Sequence, residues 1–99
     1  MITFYRRVMA LPGKTPAALT FTKEIAAHIG TLTGHEVRVG VPVGGNPSRI
    51  GWSVAYENLA AMDEAQMQMT SDAAYWEMVA QTATLFVPGS AHDDIWRTL

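Results

Sequence analysis

His28, His35 and His92 are the three imidazoles of this 99-residue chain. A metal centre needs such groups at helix or hairpin spacing, with carboxylates to orient them. These three do not pair. The pattern predicts His28 on a helix, His35 just past its end, and His92 in a loop before Asp93-Asp94, so no metal site is expected. The chain has no cysteine, which excludes disulfides, thiolate metal sites and a cysteine nucleophile. It carries no nucleophile elbow, phosphate-binding glycine loop or dinucleotide fingerprint, and Gly44-Gly45 reads as turn glycine. The neighbouring acids Asp63-Glu64 and Asp93-Asp94 read as solvated faces, and Met62, Met67 and Met69 as packing residues. Of the pair Tyr75-Trp76, one ring must lean away from the core, because a helix turns about 100° per residue.

The arginines are more informative. Net charge is −2, which argues against a duplex nucleic-acid binder. Residues 1–49 hold six basic and two acidic groups, about +4, while residues 50–99 hold one and seven, about −6. All five arginines (Arg6, Arg7, Arg38, Arg49 and Arg97) fall on predicted strands or their ends. Asp63, Glu64, Asp72 and Glu77 fall on predicted helices. A basic sheet under acidic helices is expected.

The elements that position these groups follow from periodicity. Ile2–Met9 is rich in β-formers and stops at Leu11-Pro12-Gly13-Lys14, a turn signal. Thr15 is expected to cap a helix over 15–33, with Pro16 at its first position and Gly34 ending it. Ala18, Phe21, Ile25, Ile29 and Leu32 form its apolar stripe. Two alternating runs follow around Gly44-Gly45-Asn46-Pro47, predicting hairpin strands over 36–43 and 49–57. Asn58 is expected to cap a helical region over 58–84, restarted at Thr70-Ser71-Asp72. Its inward set is Leu59, Met62, Ala65 and Met69, then Tyr75, Met78 or Val79, Thr82 and Phe86. A last strand is expected over 94–98. The order predicts one α+β domain over 1–99: a ferredoxin-like split β-α-β fold, its four-stranded antiparallel sheet covered by helices on one face.

Pairing Val43 with Ile50 sets Val41 against Trp52, Val39 against Val54 and Val37 against Tyr56. So apolar a face belongs under the helices, and Trp52 is expected to look into the core. The other face carries Glu36, Arg38, Gly40 and Pro42 beside Gly51, Ser53, Ala55 and Glu57. Half of these are small, leaving volume above the sheet. Either Thr3, Tyr5, Arg7 and Met9 or Ile2, Phe4, Arg6 and Val8 complete that face.

The passage "WSVAYENLAA" from third strand into helix, followed by "SDAAYW", resembles the NIPSNAP-type branch of the dimeric α/β-barrel superfamily, as the element order does over nearly the whole chain. Antibiotic-biosynthesis monooxygenase-like domains share that architecture. The resemblance implies a homodimer whose open sheet faces enclose a cavity, and no catalytic set transfers residue by residue. Three readings follow: a small-molecule binding protein, a cofactor-independent monooxygenase or isomerase acting on an aromatic or enolisable compound, and a structural or regulatory module. The expected ligand is a small anion or an aromatic carbonyl compound near Arg38, Ser53, Tyr5 and Arg7, with no cofactor. Arg38 supplies a forked, permanently charged donor; the alternative is an ion pair with Glu36 or Glu57. No apolar run reaches a membrane span, and the arginines inside MITFYRRVMAL do not suit a secretory signal, so a cytoplasmic location is expected.

Overall fold

Strict alternation along the first strand sends Ile2, Val8 and, just beyond it, Ala10 to a buried side, and Thr3, Tyr5, Arg7 and Met9 to the other. A computed structural model describes residues 1–99. Its elements are β1 (Ile2–Met9), α1 (Thr15–Thr33), β2 (Arg38–Gly40), β3 (Arg49–Tyr56), α2 (Leu59–Thr70), α3 (Ala73–Val79), a 3₁₀ turn (Ala80–Thr84) and β4 (His92–Arg97). The sheet order is β2-β3-β1-β4, and every neighbouring pair is antiparallel. This is the expected ferredoxin-like α+β arrangement.

The buried residues of the sheet share one face with the helices. Val8, Ala10 and Ile50 pack with Ala18 and Phe21 of α1 and with Phe86, whose ring meets Phe21 edge-on at 6.0 Å. Trp52 and Val39 flank this cluster, so Trp52 looks toward the helices as its register predicts. Ile2, Val54, Tyr56 and Ala65 form a second cluster beneath α2. Removing a fully buried aliphatic side chain such as Ile50 costs about 2–5 kcal/mol, which places the anchor of the fold at β3.

Several local expectations are corrected. Lys14, not Thr15, caps α1: the Lys14 carbonyl accepts from the Ala18 N–H at 2.8 Å, and Thr15 already lies inside the helix. Gly34 does end α1, in the left-handed conformation at φ 76. Strand β2 covers 38–40 instead of 36–43, because Pro42 has no N–H to donate to the ladder. Its register is shifted by two residues: Val39 pairs with Trp52, where Val41 was expected. A shift of two preserves the face of every side chain, so the inside-outside assignment survives. Val41 and Val43, expected on the core face, leave the sheet and are exposed. Asn46 instead organises the connection, its side chain accepting from the Ser48 N–H at 2.9 Å. Strand β3 ends at 56, and β4 runs 92–97 where 94–98 was expected.

Asn58 and Asp72 cap α2 and α3 through side-chain bonds from the Ala61 and Tyr75 N–H groups, at 2.9 and 2.8 Å. Of the inward set of α2 only Ala65 is buried, and Leu59 is half-exposed at the outer start of the helix. Of Tyr75-Trp76 it is Trp76 that leans out, its indole N–H donating to the Thr70 carbonyl at 2.9 Å.

Two carboxylates tie elements together, Asp72 within the helix layer and Asp93 within the sheet. Asp72 also bonds His28 of α1 at 2.6 Å, and that bond holds its carboxyl below the ordinary 3.8, assisted by the Tyr75 N–H. Asp93 of β4 takes a two-pronged bond from Arg6 at 2.6 and 2.7 Å, which lowers its pKa from the same value. A carboxyl depressed in the folded state adds stability above its unfolded pKa and loses it as pH falls through the folded pKa. Stability should therefore decline below about pH 4. Asp93→Asn should lower stability at neutral pH and flatten that acid limb, as followed by urea denaturation at a series of pH values; a parallel acid limb in the variant would contradict the assignment.

Candidate functional site

The face away from the helices is bare, and register decides what stands on it. One row crosses all four strands: Arg38 on β2, Ser53 on β3, Tyr5 on β1 and Asp94 on β4. The next row holds Gly40, Gly51, Arg7 and His92. With strands about 4.8 Å apart, each row is roughly 14 Å wide. A concavity of ≈ 720 Å³ lies over these rows. That volume is in the range that accepts a small organic molecule.

All four expected residues, Arg38, Ser53, Tyr5 and Arg7, line this one concavity. The side of β1 that the sequence left open is settled: Thr3, Tyr5, Arg7 and Met9 face outward, because Ile2 and Val8 are claimed by the core. Arg38 lies 3.6 Å from Glu36, with both side chains 76% exposed, a contact too solvated to hold the arginine firmly. The expected register sets Glu36 opposite Glu57, but both lie outside the strands, so that pairing does not form.

Sequence reasoning missed Asp94, Trp96 and Arg49, which also line the concavity. Asp94 is not merely a solvated acid: it accepts from Arg7 at 2.9 Å, and His92 stands 3.8 Å from its other oxygen. The signal is the alternation His92-Asp94-Trp96, visible once the strand begins two residues earlier. Arg49 stands two residues before Gly51 and so shares its face. The adjacent acids indeed do not converge: Asp93 turns to Arg6 on the helix side and Asp94 to Arg7 on the open side. The remaining histidines lie elsewhere, His28 on Asp72 and His35 tilted against the Tyr56 ring at 4.8 Å.

Neither a family model nor a curated relative matches the chain. Solved structures do. An uncharacterized NIPSNAP domain protein from Burkholderia xenovorans superposes with a TM-score of 0.85 at 13% identity, over 100% of this chain and 95% of that one. The fold is NIPSNAP-like. Two NIPSNAP family proteins from Agrobacterium tumefaciens agree, with TM-scores of 0.84 and 0.83, each at 18% identity and over 99% of this chain, covering 85% and 87% of theirs. The second of these is described as having unknown function. Likeness at this identity carries the backbone of the NIPSNAP-like domain and leaves its open face to be read from its own residues.

The depth of that face depends on two side chains that are missing. A Cβ on Gly40 would meet nothing within 4 Å, and one on Gly51 would make ordinary contacts at 3.5 Å with the Arg6 carbonyl and 3.8 Å with Arg7 Cγ. Neither glycine has a positive φ, so the backbone does not require them. Gly40→Val and Gly51→Ala should therefore leave unfolding free energy unchanged or raise it by up to about 1 kcal/mol, as measured by chemical denaturation. A loss well beyond that amount would show that the strands need glycine for their own conformation.

Proposed function

We propose that this NIPSNAP-like domain works as a homodimer whose open sheet faces close over one another, and that the enclosed space holds a small organic ligand. The carrying observation is the bare sheet face with its ≈ 720 Å³ concavity, on which Arg38, Ser53, Tyr5 and Arg7 converge. Supporting it, Trp96 at 65% exposure and Val41 at 58% stand beside those polar groups. Apolar side chains of that size beside a polar pit suit a covered surface better than open water. Two-fold pairing is the commonest symmetry by which a soluble chain covers such a face. The ligand is an anion or an aromatic carbonyl compound: Arg38 provides a forked donor that stays charged when water is removed, while Ser53 and Tyr5 add neutral hydrogen bonds. No helix of the chain is long and apolar enough to cross a membrane.

Sedimentation equilibrium tests the pairing directly. The expected species has twice the 10.8 kDa mass of the chain, and a monomer at high micromolar concentration would refute both the dimer and the chamber. The ligand is tested by thermal denaturation with benzoate and related small anions. Arg38→Ala should abolish ligand-induced stabilisation while changing the stability of the free protein by no more than about 1 kcal/mol. A variant that keeps its full ligand response would place the ligand elsewhere.

A further inference from the structure

The open face carries more positive charge than it cancels. Arg6, Arg7, Arg38 and Arg49 line the concavity, and Asp94 is the one carboxylate among its lining residues; Arg6 is already committed to Asp93 on the helix side. Asp94 is committed to Arg7 at 2.9 Å. Arg49 makes no ion pair, and the partner of Arg38 is the exposed Glu36 at 3.6 Å, outside the concavity. Two guanidinium groups are thus left without a firm counter-charge.

Register places them on either side of the same gap. Gly40 pairs with Gly51; Arg38 precedes Gly40 by two residues on β2, and Arg49 precedes Gly51 by two on β3. The strands are antiparallel, so the arginines approach the glycine pair from opposite ends, each about 7 Å of strand away. An extended arginine covers that distance, and no side chain rises from the glycines to keep the two apart. Ser53, across from Arg38, adds a hydroxyl at one end.

We infer that Arg38 and Arg49 together bind one dianionic head group, a phosphate monoester or a dicarboxylate, over the Gly40–Gly51 pair. Arg7, by contrast, is paired with Asp94 at 2.9 Å and is not one of the two unbalanced guanidinium groups. This deepens the ligand reading above and rests on it. Closing the sheet face over two unbalanced guanidinium groups is unfavourable unless an anion accompanies them, because a buried charge needs a partner. A single negative charge would leave one arginine unmatched. A dianion satisfies both through forked bonds.

Isothermal titration at low ionic strength and pH 8 separates these possibilities, with phenyl phosphate, phthalate and benzoate as probes. Phenyl phosphate or phthalate should bind roughly ten times more tightly than benzoate, and which of the two prevails identifies the head group. Arg49→Gln should weaken that dianion roughly tenfold or more while leaving benzoate binding nearly unchanged. Asp94→Asn releases Arg7 and should tighten the dianion several-fold, an effect opposite to that of general damage to the sheet; circular dichroism checks that each variant is folded. Equal affinity for benzoate and both dianions, an Arg49→Gln variant that binds like the wild type, or weaker dianion binding by folded Asp94→Asn would overturn the inference. If benzoate binding still requires Arg38 in those cases, the ligand-binding face stands and only the two-arginine site falls. If no probe binds the wild type, both fall.

Discussion

The eight-pair ladder between β1 and β3, from Ile2 opposite Tyr56 to Met9 opposite Arg49, is the constraint from which the remaining geometry follows. Side chains alternate with period two, so this register assigns Ile2, Val8, Ile50, Val54 and Tyr56 to one face together. Only that face is apolar enough to receive α1, α2 and α3. A slip of β3 by one residue would send Gly51 under the helices and Ile50 into water. Burial of Ile50, which is fully enclosed, opposes that slip most directly.

The same alternation splits two doublets of charge. Arg6 and Arg7 are neighbours on β1, and Asp93 and Asp94 are neighbours on β4, yet each forms its pair on the opposite side of the sheet. The edge strand β4 buries little apolar surface, with Ile95 and Trp96 both more than half exposed. Its attachment therefore depends on ladder hydrogen bonds and on these two bridges, one above and one below. The lower bridge is the stronger by geometry, two-pronged at 2.6 and 2.7 Å, and it raises the pKa of the Arg6 guanidinium as it lowers that of Asp93. The upper bridge takes a cation out of the open face and leaves Arg38 and Arg49 as its available charges.

Solved NIPSNAP-type structures share this backbone at 13–18% identity. A fold can persist at such identity because its requirements are modest: apolar residues of suitable size on the helix face and turn chemistry at the connections. The open face is under no such packing demand. Its glycines, arginines and tyrosine are set by this chain's own sequence, and the backbone does not require them.

Periodicity alone determined the element order, the span of α1, the glycine that ends it and the orientation of Trp52, because each depends on local geometry or on a period that survives a two-residue shift. The residues of the open face, Arg38, Ser53, Tyr5 and Arg7, were legible as types and parity. Tertiary structure decided the rest. It chose the side of β1 that joins them, since only the competition for core space separates Tyr5 and Arg7 from Phe4 and Arg6. It shortened β2 at Pro42 and released Val41 and Val43 from the sheet. It brought Asp94 to Arg7 from 87 residues away, a pairing that no local spacing encodes. Long-range register is set by the sum of burial over the whole sheet, and a single stretch of sequence carries only its own share of that sum.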